Sequence, residues 1–173
     1  MPLSTALVIS LLSGFVVASR HQTEGAAKPV LIPLPKQVSF RTGSFTLSNR
    51  TTIYLNSSQP AVRSAAEALC RAAHRYDLNL AIRTETTRSR GGIHLQLLST
   101  RDQGLGSEGY RLEVSPREVL LTANEASGLF YGVQTLSQMM PERSEAKGRV
   151  TIRAASISDA PRFGWRGLLL DVS

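Results

Sequence analysis

Cysteine is almost absent from this chain, with Cys70 the single one among 173 residues. One thiol can close no intrachain disulfide and build no cysteine-based metal site. Aromatic residues make up only 6% and include one tryptophan, Trp165. Lysine is scarce as well: 17 of the 20 basic residues are arginine, spread from Arg20 to Arg166 with acids between them and no block of five or more. Nucleic-acid binders gather positive charge on one face and often interleave aromatics, so the net charge of +7 reads as a solvated, arginine-rich surface with no nucleic-acid partner. Period-three glycine and sustained heptads are missing, which excludes collagen-like and coiled-coil chains. A hydrophobic content of 42% is enough for a globular core. The length suits one domain of ordinary size, and a complete (β/α)8 barrel of roughly 250 residues does not fit.

Long apolar runs are confined to residues 1–18, MPLSTALVISLLSGFVVA, which carry no charged side chain. This segment is read as a secretory signal peptide, with Val16 and Ala18 as the small residues before the cleavage point. Its apolar core from Ala6 to Ala18 is shorter than the ~20 residues of a spanning helix. No basic n-region precedes it, so an uncleaved hydrophobic anchor is the alternative. Residues 19–29 are polar or small and form a flexible entry. The expected location is secreted or periplasmic, or lysosomal if the source is eukaryotic, with no membrane association once the leader is removed.

From Leu31 the pattern alternates between short strands and two helices. Prolines hold Leu31-Ile-Pro-Leu-Pro35 extended. Val38 to Phe40, Phe45 to Leu47 and Thr51 to Leu55 are short β-type runs, the first two separated by Thr42-Gly43. A first helix starts at Pro60, behind Ser58 or Gln59, and carries Val62, Ala65, Ala66, Leu69, Ala73 and Tyr76 on one face. Cys70 and His74 lie four apart on it, but without further ligands they read as a buried thiol and an ordinary surface histidine. Leu78 to Ile82, Ile93 to Leu97, Tyr110 to Val114 and Val119 to Leu121 continue the strands. Ser115-Pro116-Arg117-Glu118 joins the last two as a hairpin.

A second, more apolar helix starts near Asn124 and runs through Leu129, Phe130, Val133, Leu136, Met139 and Met140, ending at Pro141. Gly128 and Gly132 each cost about 1 kcal/mol of helix propensity, which implies that another backbone approaches that face closely. Tyr110, Phe130 and Tyr131 fall within core-type periodicity. Glu142 to Lys147 is a charged loop, and Val150 to Ile157 is strand-like. Pro and Gly then mark a linker, after which Leu168-Leu169-Leu170 reads as a strand buried on both faces, followed by Asp171 at its carboxyl end.

Local catalytic constellations are missing. Glu67, Asp77, Glu85, Asp102, Glu108, Glu113, Glu118 and Glu125 are single charges on surfaces or loops. Gly91-Gly92 and Gly104-Leu-Gly106 are turns without the helix and acidic partner of a dinucleotide loop. No cofactor is called for, and no metal site.

Four segments carry a resemblance: Leu31-Ile-Pro-Leu-Pro35, Glu108-Gly-Tyr-Arg-Leu-Glu-Val114, Ala126-Ser-Gly-Leu-Phe-Tyr-Gly-Val-Gln-Thr-Leu-Ser-Gln138, and Asp159-Ala-Pro-Arg-Phe-Gly-Trp-Arg-Gly-Leu-Leu-Leu-Asp-Val-Ser173. In order and separation they resemble the N-terminal portion of the β-N-acetylhexosaminidases, family-20 glycoside hydrolases. The resemblance covers about residues 30 to 173.

It implies an α+β fold, an antiparallel sheet with two helices on one face, over residues 30–158. Residues 159–173 would be the linker and first strand of a truncated (β/α)8 barrel, the domain's own partner in cis. It also implies an exo-acting enzyme on N-acetylhexosamine-containing oligosaccharides or glycoconjugates. In that family the substrate's acetamido carbonyl attacks the anomeric carbon, an exception to the two-carboxylate scheme. The Asp-Glu pair serving that reaction and a sugar-holding Arg would lie beyond Ser173, leaving this fragment inactive. Arg166 and Asp171 match motif positions and are candidates only for supporting the barrel mouth; no catalytic or substrate-binding residue is assigned. The alternative is a non-catalytic accessory or carbohydrate-contacting module.

Overall fold

The computed structural model describes residues 29–85, 91–141 and 147–163. Its elements run β1 (Gln37–Ser48), β2 (Thr52–Leu55), α1 (Pro60–His74), β3 (Ala81–Thr84), β4 (Gly92–Leu97), β5 (Tyr110–Val114), β6 (Glu118–Ala123), α2 (Ala126–Gln138) and β7 (Arg149–Asp159). The strands form one 7-stranded sheet in the order β1-β7-β5-β6-β4-β2-β3.

The fold is α+β as expected, but the sheet is mixed, not antiparallel. Strand β2 pairs parallel with β3 and β4, and β4 pairs parallel with β6, whereas β5 is antiparallel to β6 and β7, and β1 to β7. Connections account for this. Two adjacent parallel strands need a crossover, and α1 supplies it between β2 and β3. The four-residue turn from Ser115 to Glu118 permits only a hairpin, closed by Ser115 N–H donating to the Glu118 carbonyl at 3.0 Å. Alternation of polar and apolar residues reports which face is buried, and it is silent about strand direction.

Three boundaries also differ from the sequence expectation. Strand β1 is continuous through Thr42-Gly43, which it passes as an irregularity between Phe40 and Ser44. Strand β3 begins at Ala81 rather than Leu78, because the chain first turns at Asp77, whose φ is 58°. Helix α2 begins at Ala126, since the side chain of Asn124 instead staples the preceding loop, donating to the Asp102 and Gly106 carbonyls.

Both helices cover the same face of the sheet. Helix α1 presents Val62, Ala65, Ala66, Leu69 and Ala73 to α2 and β2, and α2 presents Leu129, Val133 and Leu136 to β4, β5 and β6. Beneath them lie Ile53, Leu55, Ile93, Leu95, Leu112, Val119 and Leu121, all at most 1% exposed. Each such side chain contributes roughly 1.5–3 kcal/mol on burial. Tyr76 lies just past the end of α1 yet is buried, and its hydroxyl donates to the Pro141 carbonyl at 2.5 Å. The opposite face is polar: Arg41 pairs with Glu113 at 3.2 Å and Arg111 with Asp102 at 2.6 Å.

The two helix glycines answer to different neighbours. A Cβ on Gly128 would overlap the Gly109 carbonyl oxygen, so a backbone does approach there. A Cβ on Gly132 would instead overlap the Leu121 side chain, so this glycine makes room for a core residue and not for a backbone. Gly128→Ala tests the closer contact. Alanine favours the helix by about 1 kcal/mol, but overpacking against an immobile carbonyl costs typically 1–3 kcal/mol, and more in tight sites. The expected outcome is a thermal midpoint lowered by several degrees, while Ser64→Ala on the exposed side of α1 leaves it nearly unchanged.

Candidate functional site

The chain enters and leaves the described fold at one place. Residues 31–36 form a strap across the C-terminal half of α2, and the end of β7 lies beside them. Gln138 fastens the strap with both ends of its amide: its Oε1 accepts Ile32 N–H at 2.8 Å, and its Nε2 donates to the Ile32 carbonyl at 3.0 Å. Lys36 N–H donates to Asp159 Oδ1 at 3.1 Å, tying the strap to the last residue of β7. The side chain of Leu31 is buried in the core cluster, and the Ile32–Pro33 peptide is cis.

Between strap, α2 and the chain's exit lies a groove of about 450 Å³, walled by Leu34, Tyr131, Gln134, Pro161 and Phe163 and reaching Tyr110 and Thr135. At its base the Tyr110 hydroxyl and Thr135 Oγ1 share a buried hydrogen bond of 2.5 Å. Burial pushes the Tyr110 phenol up to about 12, with Asp159 adding to the rise and the Thr135 hydrogen bond opposing it. The rim is apolar and open: Leu34 and Phe163 are 79% and 70% exposed. Phe130 on the outer side of α2 is exposed as well, and Tyr131 is half-buried, so of the three aromatics expected in the core only Tyr110 is fully there.

Two carboxylates line this groove, Glu108 and Asp159. Asp159 serves as the strap's acceptor, a structural use. Elsewhere Glu125 pairs with Arg101 at 3.0 Å, and Glu118 lies 3.9 Å from the buried His94 Nε2, which contacts the Gly91 carbonyl at 2.8 Å. What the groove does chemically is hold the strap beside α2 and the end of β7, by hydrogen bonds to the Gln138 amide and the Asp159 carboxylate. Cys70 is half-buried, its Sγ 3.7 Å from the Leu80 carbonyl, and burial together with nearby Glu67 raises its pKa. Among the described residues, no three His, Cys, Asp or Glu converge as a metal site would require, and no helix is long and apolar enough to cross a membrane.

Arg166, Asp171, the Leu168–Leu170 strand, the leader at 1–18 and most of the Glu142–Lys147 loop lie outside the described residues. The Gln138 clasp, the Asn124 staple and the Tyr110–Thr135 pair were not foreseen. A glutamine and a threonine at helical spacing on an otherwise apolar helix were the available signal.

The family model for glycosyl hydrolase family 20, domain 2, matches residues 28–160. The chain belongs to glycosyl hydrolase family 20. The match starts just before the strap and ends one residue past β7. The chain is 34% identical over 148 residues to a beta-hexosaminidase of Porphyromonas gingivalis, covering 82% of this chain and 18% of the relative. It is 30% identical to the beta-hexosaminidase subunit beta of Sus scrofa, covering 95% and 33%. The solved N-acetyl-beta-hexosaminidase of Streptomyces plicatus, in complex with Thio-NAglucal, superposes with a TM-score of 0.67 at 30% identity, over 82% of this chain and 29% of that one. This family-20 chain therefore spans about a fifth to a third of the relatives it matches.

Two predictions concern the groove. Gln138→Ala removes both strap hydrogen bonds, each worth roughly 0.5–1.5 kcal/mol net. Amide exchange at Ile32 should accelerate about tenfold or more, with the unfolding midpoint little changed; Gln138→Glu, which keeps the acceptor, should fall between. Tyr110 sets an alkaline limit. Its folded-state pKa lies above the usual 10.0, so its contribution is fully present below pH 10 and is lost as pH rises toward about 12. The loss amounts to roughly 2–3 kcal/mol, and Tyr110→Phe should flatten that part of the stability profile in alkaline denaturation.

Proposed function

We propose that this chain is the N-terminal part of a secreted exo-β-N-acetylhexosaminidase, whose α+β domain is non-catalytic and packs in cis on a (β/α)8 barrel that follows it. The enzyme would remove terminal N-acetylglucosamine or N-acetylgalactosamine from glycoconjugates or chitooligosaccharides by substrate-assisted, retaining hydrolysis. The leader at residues 1–18 would direct it to a secreted, periplasmic or lysosomal compartment, free of the membrane after cleavage. Arg166 and Asp171 would support the barrel mouth, and the acid-base carboxylates would lie beyond Ser173. No cofactor and no nucleic-acid partner belong to this reading.

The observation that carries it is the family-20 match over residues 28–160, in a chain that spans only 18% to 33% of its hexosaminidase relatives. The groove supports it physically. Leu34 and Phe163 form an exposed apolar rim at the point where the chain leaves β7, where a following domain would cover it.

A carbohydrate-contacting module is the second reading, and the exposed Phe130 beside Tyr131 favours it. Their rings stand 6.0 Å apart at 71°, edge to face. Sugar stacking uses a flat exposed face, which this pair does not offer as a joint platform.

Incubating the purified 173-residue chain with a chromogenic N-acetylglucosaminide should release chromophore only at the buffer rate. The product of a reading frame extended past Ser173 should turn it over. Reproducible turnover by the short chain that survives repurification overturns the placement of the acid-base pair. Saturable binding of chitooligosaccharides to the short chain, lost in Phe130→Ala, would favour the module instead.

A further inference from the structure

On the opposite side of the molecule from the groove, the β1–β2 turn and the β5–β6 turn enclose a second cleft, of about 320 Å³. Its walls include Arg50 and Arg117, with the hydroxyl residues Ser48, Thr51 and Thr52, and no acid lines it. Neither guanidinium has a carboxylate within ion-pair distance among the described residues. The nearest acid in sequence, Glu118, has its carboxylate toward His94.

The hydroxyls are set in a particular sense. Thr51 is 8% exposed, and its Oγ1 already accepts Ser48 N–H at 3.0 Å. Ser48 Oγ accepts Arg50 N–H at 3.3 Å. Each hydroxyl has thus filled an acceptor position from the backbone and keeps its single proton to give, and neither donates to another described residue. Gly91 and Gly92, at φ 77° and 80°, complete the lining without side chains, and a Cβ at Gly92 would press on the Thr52 carbonyl at 2.7 Å. The cleft therefore brings two arginines and spare hydroxyl protons together with no lining acid to receive them. That is the donor set of a tetrahedral oxyanion site.

We infer that this cleft binds a sulfate or phosphate group, carried as an ester on a sugar. Two arginines in a lining that holds no carboxylate select the anionic group over a neutral hydroxyl, and the cleft is larger than a bare tetrahedral ion, leaving room for the attached ring. The oxyanion site stands on the lining and its hydroxyl bonds alone; only the sugar rests on the glycosidase reading above.

The test is a titration of the full 173-residue chain at low salt, followed by amide chemical shifts, with inorganic phosphate, glucose 6-sulfate and glucose. Phosphate and the sulfate ester should saturate with shifts centred on residues 48–52 and 116–117, the ester at least tenfold tighter, and glucose should not bind. Arg50→Gln with Arg117→Gln should weaken the ester at least tenfold. Arg50→Lys with Arg117→Lys should lose less. Arg63→Gln with Arg71→Gln, an equal loss of charge on the exposed side of α1, should leave binding intact. Phosphate binding as tightly as the ester upholds the oxyanion site and overturns the sugar. Absence of saturation, or equal weakening in the α1 control, overturns the site, and neither outcome bears on where the hydrolytic carboxylates lie.

Discussion

Helix α2 lies closer to the sheet than ordinary side chains allow, because Gly128 meets the Gly109 carbonyl and Gly132 meets Leu121. Two glycines in a helix are unfavourable by propensity alone, and the packed interface must offset them. Seating α2 this low lets Leu129, Val133 and Leu136 reach the core. One turn further along, the same depth lets Thr135 share a hydrogen bond with Tyr110, and Gln138 meet the strap. Helix α1 then packs on α2 through small residues, Ala65, Ala66 and Ala73, so its own distance depends on the same contact. A methyl group's thickness between α2 and the β5–β6 hairpin would propagate to every one of these interactions, since interiors are close-packed and cannot absorb it locally.

The sheet divides around that hairpin. From β6 outward to β3 the strands are parallel and reached by crossovers, while β5, β7 and β1 alternate in direction. Helix α2 sits over the seam, as the connection from β6 back to β7 across the intervening β5. The strands were legible because alternation identifies buried faces: Tyr110, Leu112 and Val114 point inward as the pattern requires. Their directions were not, because pairing depends on where a connection can return the chain, a property of the whole fold. Strand β1 passed for two strands because Thr42-Gly43 looks like a turn, and only its long pairing with β7 keeps it one.

Site legibility failed for a related reason. Phe130 has the right helical spacing for a core position but falls on the outer side once α2 is rotated to seat its glycines. Gln138 and Lys36 look like ordinary surface residues in sequence; their roles exist only because segments 106 and 123 residues apart are brought together. Long-range hydrogen bonds of this kind have no local signature. The backbone hydrogen bonds that the Thr51 and Ser48 hydroxyls accept are similarly invisible until the β1–β2 turn is folded.

The segments that carry the family resemblance share a physical explanation. The strap from Leu31 to Pro35, the Gly109-Tyr110 pair, helix α2 and Asp159 are scattered along the chain, yet they meet at one junction. Gly128 requires Gly109, Thr135 bonds Tyr110, Gln138 clasps Ile32, and Asp159 holds Lys36. Each of these contacts sets the position of the strap, of α2 or of the end of β7 relative to the sheet. A motif made of such residues is a packing signature, since a change at one member disturbs the contacts of the others. In a chain whose entry and exit are clasped side by side, those constraints fix the direction in which the polypeptide leaves β7 at Asp159, with the exposed side chain of Phe163 just beyond.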